Sequence, residues 1–173
     1  MVAATSARRV LVMGIGNILM KDEGVGCRVA EEMESRFITP EGVDIIDSGT
    51  MGMTILNLFR EYDFMVVVDA MQGTSHPPGT VLRLSPEDIA PNQVRHSLHD
   101  TRFIDVLEAA ELMDCRPEAE CVGIQVEDMH PPELTIGLSE SVEAAVEVAI
   151  DAVLTVLSER GIELHEKNQF SSM

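Results

Sequence analysis

Val10-Leu11-Val12-Met13-Gly14-Ile15-Gly16-Asn17, with Asp22-Glu23 following almost at once, is an apolar run, a glycine turn and a pair of carboxylates. A continuous apolar run is the signature of a strand buried on both faces. The glycine turn resembles a phosphate-binding loop. The carboxylates argue against phosphate. A helix opening near Asp22 would offer its positive end and free N–H groups to an anion, but Asp22 and Glu23 already sit there. They repel a pyrophosphate and attract a cation. The stretch therefore predicts a strand-to-helix turn that presents carboxylates at the top of a sheet.

Outward from this turn, strand and helix patterns alternate. Residues 23–37 read as a helix, with Val25, Val29, Met33 and Phe37 on one stripe, Glu31, Glu32 and Glu34 outside, and Asp22 as its cap. Residues 43–47 form a second strand. Residues 54–62 suit a short helix with Ile55, Leu58 and Phe59 inward. Residues 64–68 are the most hydrophobic run and predict a central strand ending at Asp69. Residues 80–84 read as a strand, and Ser85-Pro86 opens a short helix. Ser97-Leu98-His99-Asp100 fits a capping box for a helix reaching about Met113. Residues 121–126 are another strand, 127–138 a loop, and 139–160 the longest helix, stopped by Gly161. The pattern predicts an α/β fold, a three-layer α/β/α sandwich of about five mostly parallel strands with helices on both faces. Residues 1–166 are expected to form one domain and 167–173 a frayed tail.

The chain has 173 residues, 45% of them hydrophobic but only 3% aromatic, so aliphatic side chains and Met must build the core. A net charge of −18 excludes nucleic acid and anionic membrane surfaces as partners, and is compatible with a basic peptide or a metal ion. Cys27, Cys115 and Cys121 lack a CxxC spacing and are expected as reduced thiols, in keeping with a cytoplasmic location. Arg8-Arg9 superficially resembles a twin-arginine export signal. The apolar run after it stops at Gly14 and soon meets Lys21-Asp22-Glu23, as a first strand would. No stretch is long enough to span a bilayer.

In open α/β sheets, ligands bind outside the carboxyl ends of the strands. That rule brings residues 14–23, 47–52, 69–72 and the segment before the His99 helix to one candidate site. A dinucleotide fits poorly: Gly14-x-Gly16-x-x-Leu19 lacks the third glycine, and Asp47 lies too far on for the usual ribose-binding acid. Glu23, Asp69 and His99, from three loops at one edge, suit a divalent transition ion such as nickel, zinc or manganese, with positions left open for substrate. A helix start also favours a neutral imidazole at His99. Each has a plainer alternative: Asp69 as a turn former, Glu23 as a helix-dipole partner, His99 as a surface or core residue.

Residues 12–26, Val-Met-Gly-Ile-Gly-Asn-Ile-Leu-Met-Lys-Asp-Glu-Gly-Val-Gly, closely resemble the amino-terminal signature of the nickel–iron hydrogenase maturation proteases. Asp47-Ser48-Gly49-Thr50-Met51-Gly52 resembles the family's Asp-Gly-Gly-Thr-x-Gly segment, with Ser48 in place of the commoner glycine and a slightly stiffer turn expected there. Val67-Val68-Asp69-Ala70, Pro78-Gly79-Thr80, His99 ahead of Asp105-Val106-Leu107, and residues 133–139 match in the family's order. The resemblance runs from about Arg9 to Gly161.

It implies an endopeptidase that removes the carboxy-terminal extension of a nickel-loaded hydrogenase large-subunit precursor. Glu23, Asp69 and His99 are the implied catalytic metal ligands, with Asp47 a further catalytic candidate of less defined role. Nickel would arrive with the substrate; zinc or cadmium could take its place in the isolated protein. A monomer is expected. No serine or cysteine nucleophile stands out, since Cys27 falls inside the first helix, and metal-assisted hydrolysis needs none. His96 lies one helical turn from His99 and is the alternative nitrogen donor; the family match and the capping position favour His99. His76, His130 and His165 are expected on loops or the surface. Met20, Met51, Met53 and Met71 lie near the site loops, as partner-adapting or core residues. Two rival functions are a non-catalytic metal-binding chaperone for the same precursor and, more remotely, a nucleotide-binding oxidoreductase.

Overall fold

The computed structural model describes residues 8–50, 52–88 and 103–167. Its main sheet has five strands in the order β3 (Val43–Gly49), β1 (Val10–Ile15), β4 (Phe64–Met71), β6 (Glu118–Gln125) and β5 (Val81–Leu84). β1 runs parallel to both β3 and β4, and β4 parallel to β6; only the edge strand β5 is antiparallel. The chain leaves β1 to one side, through α1 (Val25–Arg36), to reach β3. It then crosses to the other side of β1, through α2 (Leu56–Phe59), to reach β4. The direction of winding thus reverses between β1 and β4, which is where such sheets open a crevice.

Alternation along the strands assigns the two layers. Val10, Val12, Val66 and Val68 face α1 and α4 (Glu140–Glu159), packing on Val25, Val29, Met33, Val142, Ala149 and Val153. Leu11, Met13, Met65 and Val67 face the opposite side, against Phe59 of α2 and Phe103, Val106 and Leu107 of α3 (Phe103–Leu112). The predicted sandwich is therefore present. α1 sits unusually close to the sheet: a Cβ on Gly26 would lie 2.2 Å from the Ile15 carbonyl oxygen and 2.3 Å from that of Val68. Gly14 completes the fit, its own Cβ position lying 2.1 Å from the Gly26 carbonyl. Two facing glycines let helix backbone rest directly on strand backbone.

Several elements differ from expectation. β4 continues through Asp69 to Met71, because Ala70 and Met71 are buried and pair with Ile124 and Gln125. β3 likewise continues through Ser48 and Gly49; the buried Ser48 hydroxyl donates to the Gly14 carbonyl at 2.8 Å and ties β3 to β1. The first helix is split into a 3-10 turn, Lys21–Gly24, and α1 proper. Asp22 does not cap it; Gly24 is the capping residue, without a side-chain bond. A two-stranded antiparallel ribbon, β2 (Phe37–Ile38) with β7 (His165–Glu166), anchors the chain after the last helix. The capping box at residues 97–100 lies outside the described residues. No helix among the described residues is long and apolar enough to cross a membrane.

Candidate active site

The carboxyl ends of β1, β3 and β4 converge on the first turn of α1. Asp47 sits near the end of β3, in register with Gly14 of β1. Its carboxylate accepts the Gly49 N–H at 2.9 Å, so an exposed side chain is held by its own turn. Asp69 is half-buried in β4, opposite Gly123 of β6. It shares the parity of Met65 and Val67 and so lies on the α3 face. One carboxylate oxygen accepts the Ala70 N–H at 2.8 Å. Glu23, only 7% exposed, belongs to the 3-10 turn that packs against β4. Its N–H donates to the Met20 carbonyl and its carbonyl accepts the Asn17 N–H, both at 3.2 Å.

Cys27, one turn after Glu23, shows how close these groups come. Its thiol is buried and donates to the Gly16 carbonyl at 3.4 Å. Burial pushes the thiol well above its ordinary range, and the neighbouring Asp47 and Asp69 push it further. One helical turn thus sees both carboxylates. A thiol held protonated in this way is not a nucleophile at neutral pH. Cys27→Ala is therefore expected to keep full proteolytic activity, and iodoacetamide at pH 8 to leave Cys27 unlabelled in the folded protein. Loss of activity in the alanine variant, with melting temperature unchanged, would revive a cysteine mechanism. Cys121, on β6, is pushed up to about 12 by burial, then by Asp69. All three cysteines are free thiols.

Glu23, Asp47 and Asp69 are placed at one sheet edge. His99 and His96 lie outside the described residues. Among the described residues no three His, Cys, Asp or Glu side chains group closely enough to hold a metal. Asp47 therefore does not complete a trio with Glu23 and Asp69. His76, His130 and His165 are exposed, as expected. Of the methionines near the site, Met71 fills the core against Gly123, whereas Met53 is exposed.

Asp22 has a role that sequence proximity hid. Its buried carboxylate accepts the Ser139 N–H at 2.6 Å and the Ser139 hydroxyl at 2.9 Å. Ser139 is the N-cap of α4, so Asp22 ties the glycine turn to the last helix. Thr135 adds a second tie as an isolated parallel bridge: its N–H donates to the Leu19 carbonyl at 2.8 Å and its carbonyl accepts the Lys21 N–H at 2.7 Å. Neither Ser139 nor Thr135 was a sequence candidate, although both lie within the family-like segment 133–139.

A doubly wound α/β protein with carboxylates gathered at its switch point is the class that fold and site define. Residues 27–156 match the family described as hydrogenase maturation protease. The chain is 37% identical over 159 residues to the hydrogenase 2 maturation protease of Escherichia coli (strain K12), covering 90% of this chain and 94% of that protein. It is 33% identical over 175 residues to the hydrogenase expression/formation protein HupD of Bradyrhizobium diazoefficiens, covering 97% and 88%. The structure of the hydrogenase maturating endopeptidase HybD from E. coli superposes with a TM-score of 0.81 at 34% identity, covering 93% of this chain and 99% of that one. The chain belongs to the hydrogenase maturation protease family, and is a peptide-bond hydrolase of hydrogenase maturation.

Proposed function

We propose that this endopeptidase removes the carboxy-terminal extension from a nickel-loaded hydrogenase large-subunit precursor, and that Glu23, Asp69 and His99 grip the nickel which that precursor carries. The observation behind this is the position of two carboxylates at the winding reversal between β1 and β4. Glu23 comes from the turn after β1 and Asp69 from β4 itself. Two oxygen donors fit a divalent transition ion and leave room for an imidazole. α3, whose first residue Phe103 comes shortly after His99, runs back toward the start of β6 and so begins at this same edge.

Nickel supplies Lewis acidity next to the scissile bond. The protein's own share is positional. Glu23 is held by backbone bonds on both sides, and Asp69 by the pairing of β4 with β6 at Gly123. Donors that close on a metal belonging to the substrate make cleavage wait for metal loading. No serine or thiol nucleophile is required. Asp47, turned outward beside its own loop, would position the substrate backbone rather than the ion.

The test is to mix the protein with its cell's large-subunit precursor, with and without nickel, and to follow intact masses over time. Catalytic shortening of the nickel-loaded form alone is expected. Equal shortening of the nickel-free form would overturn the metal role. A stable one-to-one complex without shortening would favour the chaperone.

A further inference from the structure

An apolar rim is attached to the catalytic edge. Leu134 and Ile136 are 73% and 78% exposed, in a loop where solvation favours polar residues, and Ile18 and Leu19 of the glycine turn are also exposed. These two stretches form one rigid unit, because Thr135 bonds Leu19 and Lys21 through its backbone and Asp22 bonds Ser139. Thr135 turns its N–H and carbonyl toward the glycine turn. In extended chain, the flanking residues turn theirs the opposite way. Among the described residues, the backbone groups of Leu134 and Ile136 take no partner. Among the described residues, the chain on either side of the Thr135 bridge thus offers unpaired backbone with two exposed apolar side chains at i and i+2.

We propose that this edge is an exosite for the polypeptide substrate, resting on the protease assignment above: an extended stretch of the precursor adds to residues 134–136 as a neighbouring strand. Main-chain bonds to Leu134 and Ile136 supply alignment, and their side chains select apolar residues two apart. The added strand lies about 10 Å from the glycine turn, two strand spacings away. It holds chain beside the scissile bond rather than the bond itself. Charge narrows the occupant further. Glu133 borders the edge, Asp47, Asp69 and Glu23 stand at the same end of the sheet, and the net charge is −18. Arg8, Arg9 and Arg160 are gathered at the opposite end, stacked on Phe64 and Tyr62 and paired with Glu118, Asp44 and Glu120. The stretch that docks is accordingly apolar with basic flanks.

The test has two arms, both with the nickel-loaded precursor. In the first, the L134S/I136S double variant is compared with the parent protein; both residues are exposed, and a thermal melt checks the fold. KM is expected to rise about tenfold or more with kcat nearly unchanged. An unchanged KM would overturn the exosite while leaving the protease assignment intact. In the second, a benzophenone amino acid at position 134 is photocrosslinked to the precursor. Crosslinks within the strand-length segment flanking the cut support the exosite, even if no cleavage follows, an outcome that would sink the protease assignment alone. Crosslinks elsewhere on the precursor would overturn it.

Discussion

Glu23→Gln is expected to abolish processing of the nickel-loaded precursor, by at least about a thousandfold in kcat/KM, while the protein stays folded. The amide keeps the size of the carboxylate but replaces a charged donor oxygen with a neutral, much weaker one. Glu23 is almost wholly buried at the switch point, where an uncompensated loss of charge is felt more strongly than at the surface. Loss of a donor to the ion weakens both the grip on the nickel and the Lewis acidity placed beside the scissile bond. A time course of intact masses reads the activity, and thermal unfolding by circular dichroism reads the fold. Normal processing by the glutamine variant would remove Glu23 from the mechanism. A collapsed melting temperature would show instead that its carboxylate is structural.

Gly26→Ala is expected to be strongly damaging for the addition of one methyl group. The new Cβ would meet two carbonyl oxygens, of Ile15 and Val68, at distances no real contact tolerates. Both obstacles are strand backbone, so neither can swing aside as a side chain would. α1 must lift off the sheet, opening space between its first turn and β1. Overpacking of this kind costs about 3 kcal/mol, or roughly 10 °C in melting temperature for a domain of this size. Activity should fall further than stability, because the same lift separates Glu23 from Asp69. A variant that melts normally would mean that α1 does not rest on the strands as described.

The central strands were legible because burial on both faces leaves an uninterrupted apolar run, as at Val66, Val67 and Val68. The helices were legible through stripes such as Val25, Val29 and Met33. What escaped sequence inspection has physical causes. Asp69 looked like a strand end because an acid in a buried strand is costly, yet at the winding reversal it meets the crevice rather than the core. β2 and β7 have two residues each, too few to show any periodicity, and His165–Glu166 is polar. Asp22 passed for a helix cap because it stands beside α1; its partner Ser139 is 117 residues away, a distance no local pattern spans. Gly26 carried meaning only as part of a motif, since the backbone it touches belongs to β1 and β4. Glu23 and Asp69 were legible as chemistry, and the structure sets them at one edge; His99 lies outside the described residues.

The bond from Asp22 to Ser139 has a consequence for biosynthesis. The chain emerges from the ribosome amino end first, so the Glu23 turn appears well before its buttress, which lies 117 residues further on. Until residues 139–160 have docked, Asp22 lacks both of its bonds to Ser139, and the turn carrying Glu23 is without that brace. The turn that carries Glu23 therefore gains its full set of bonds only once that helix has packed.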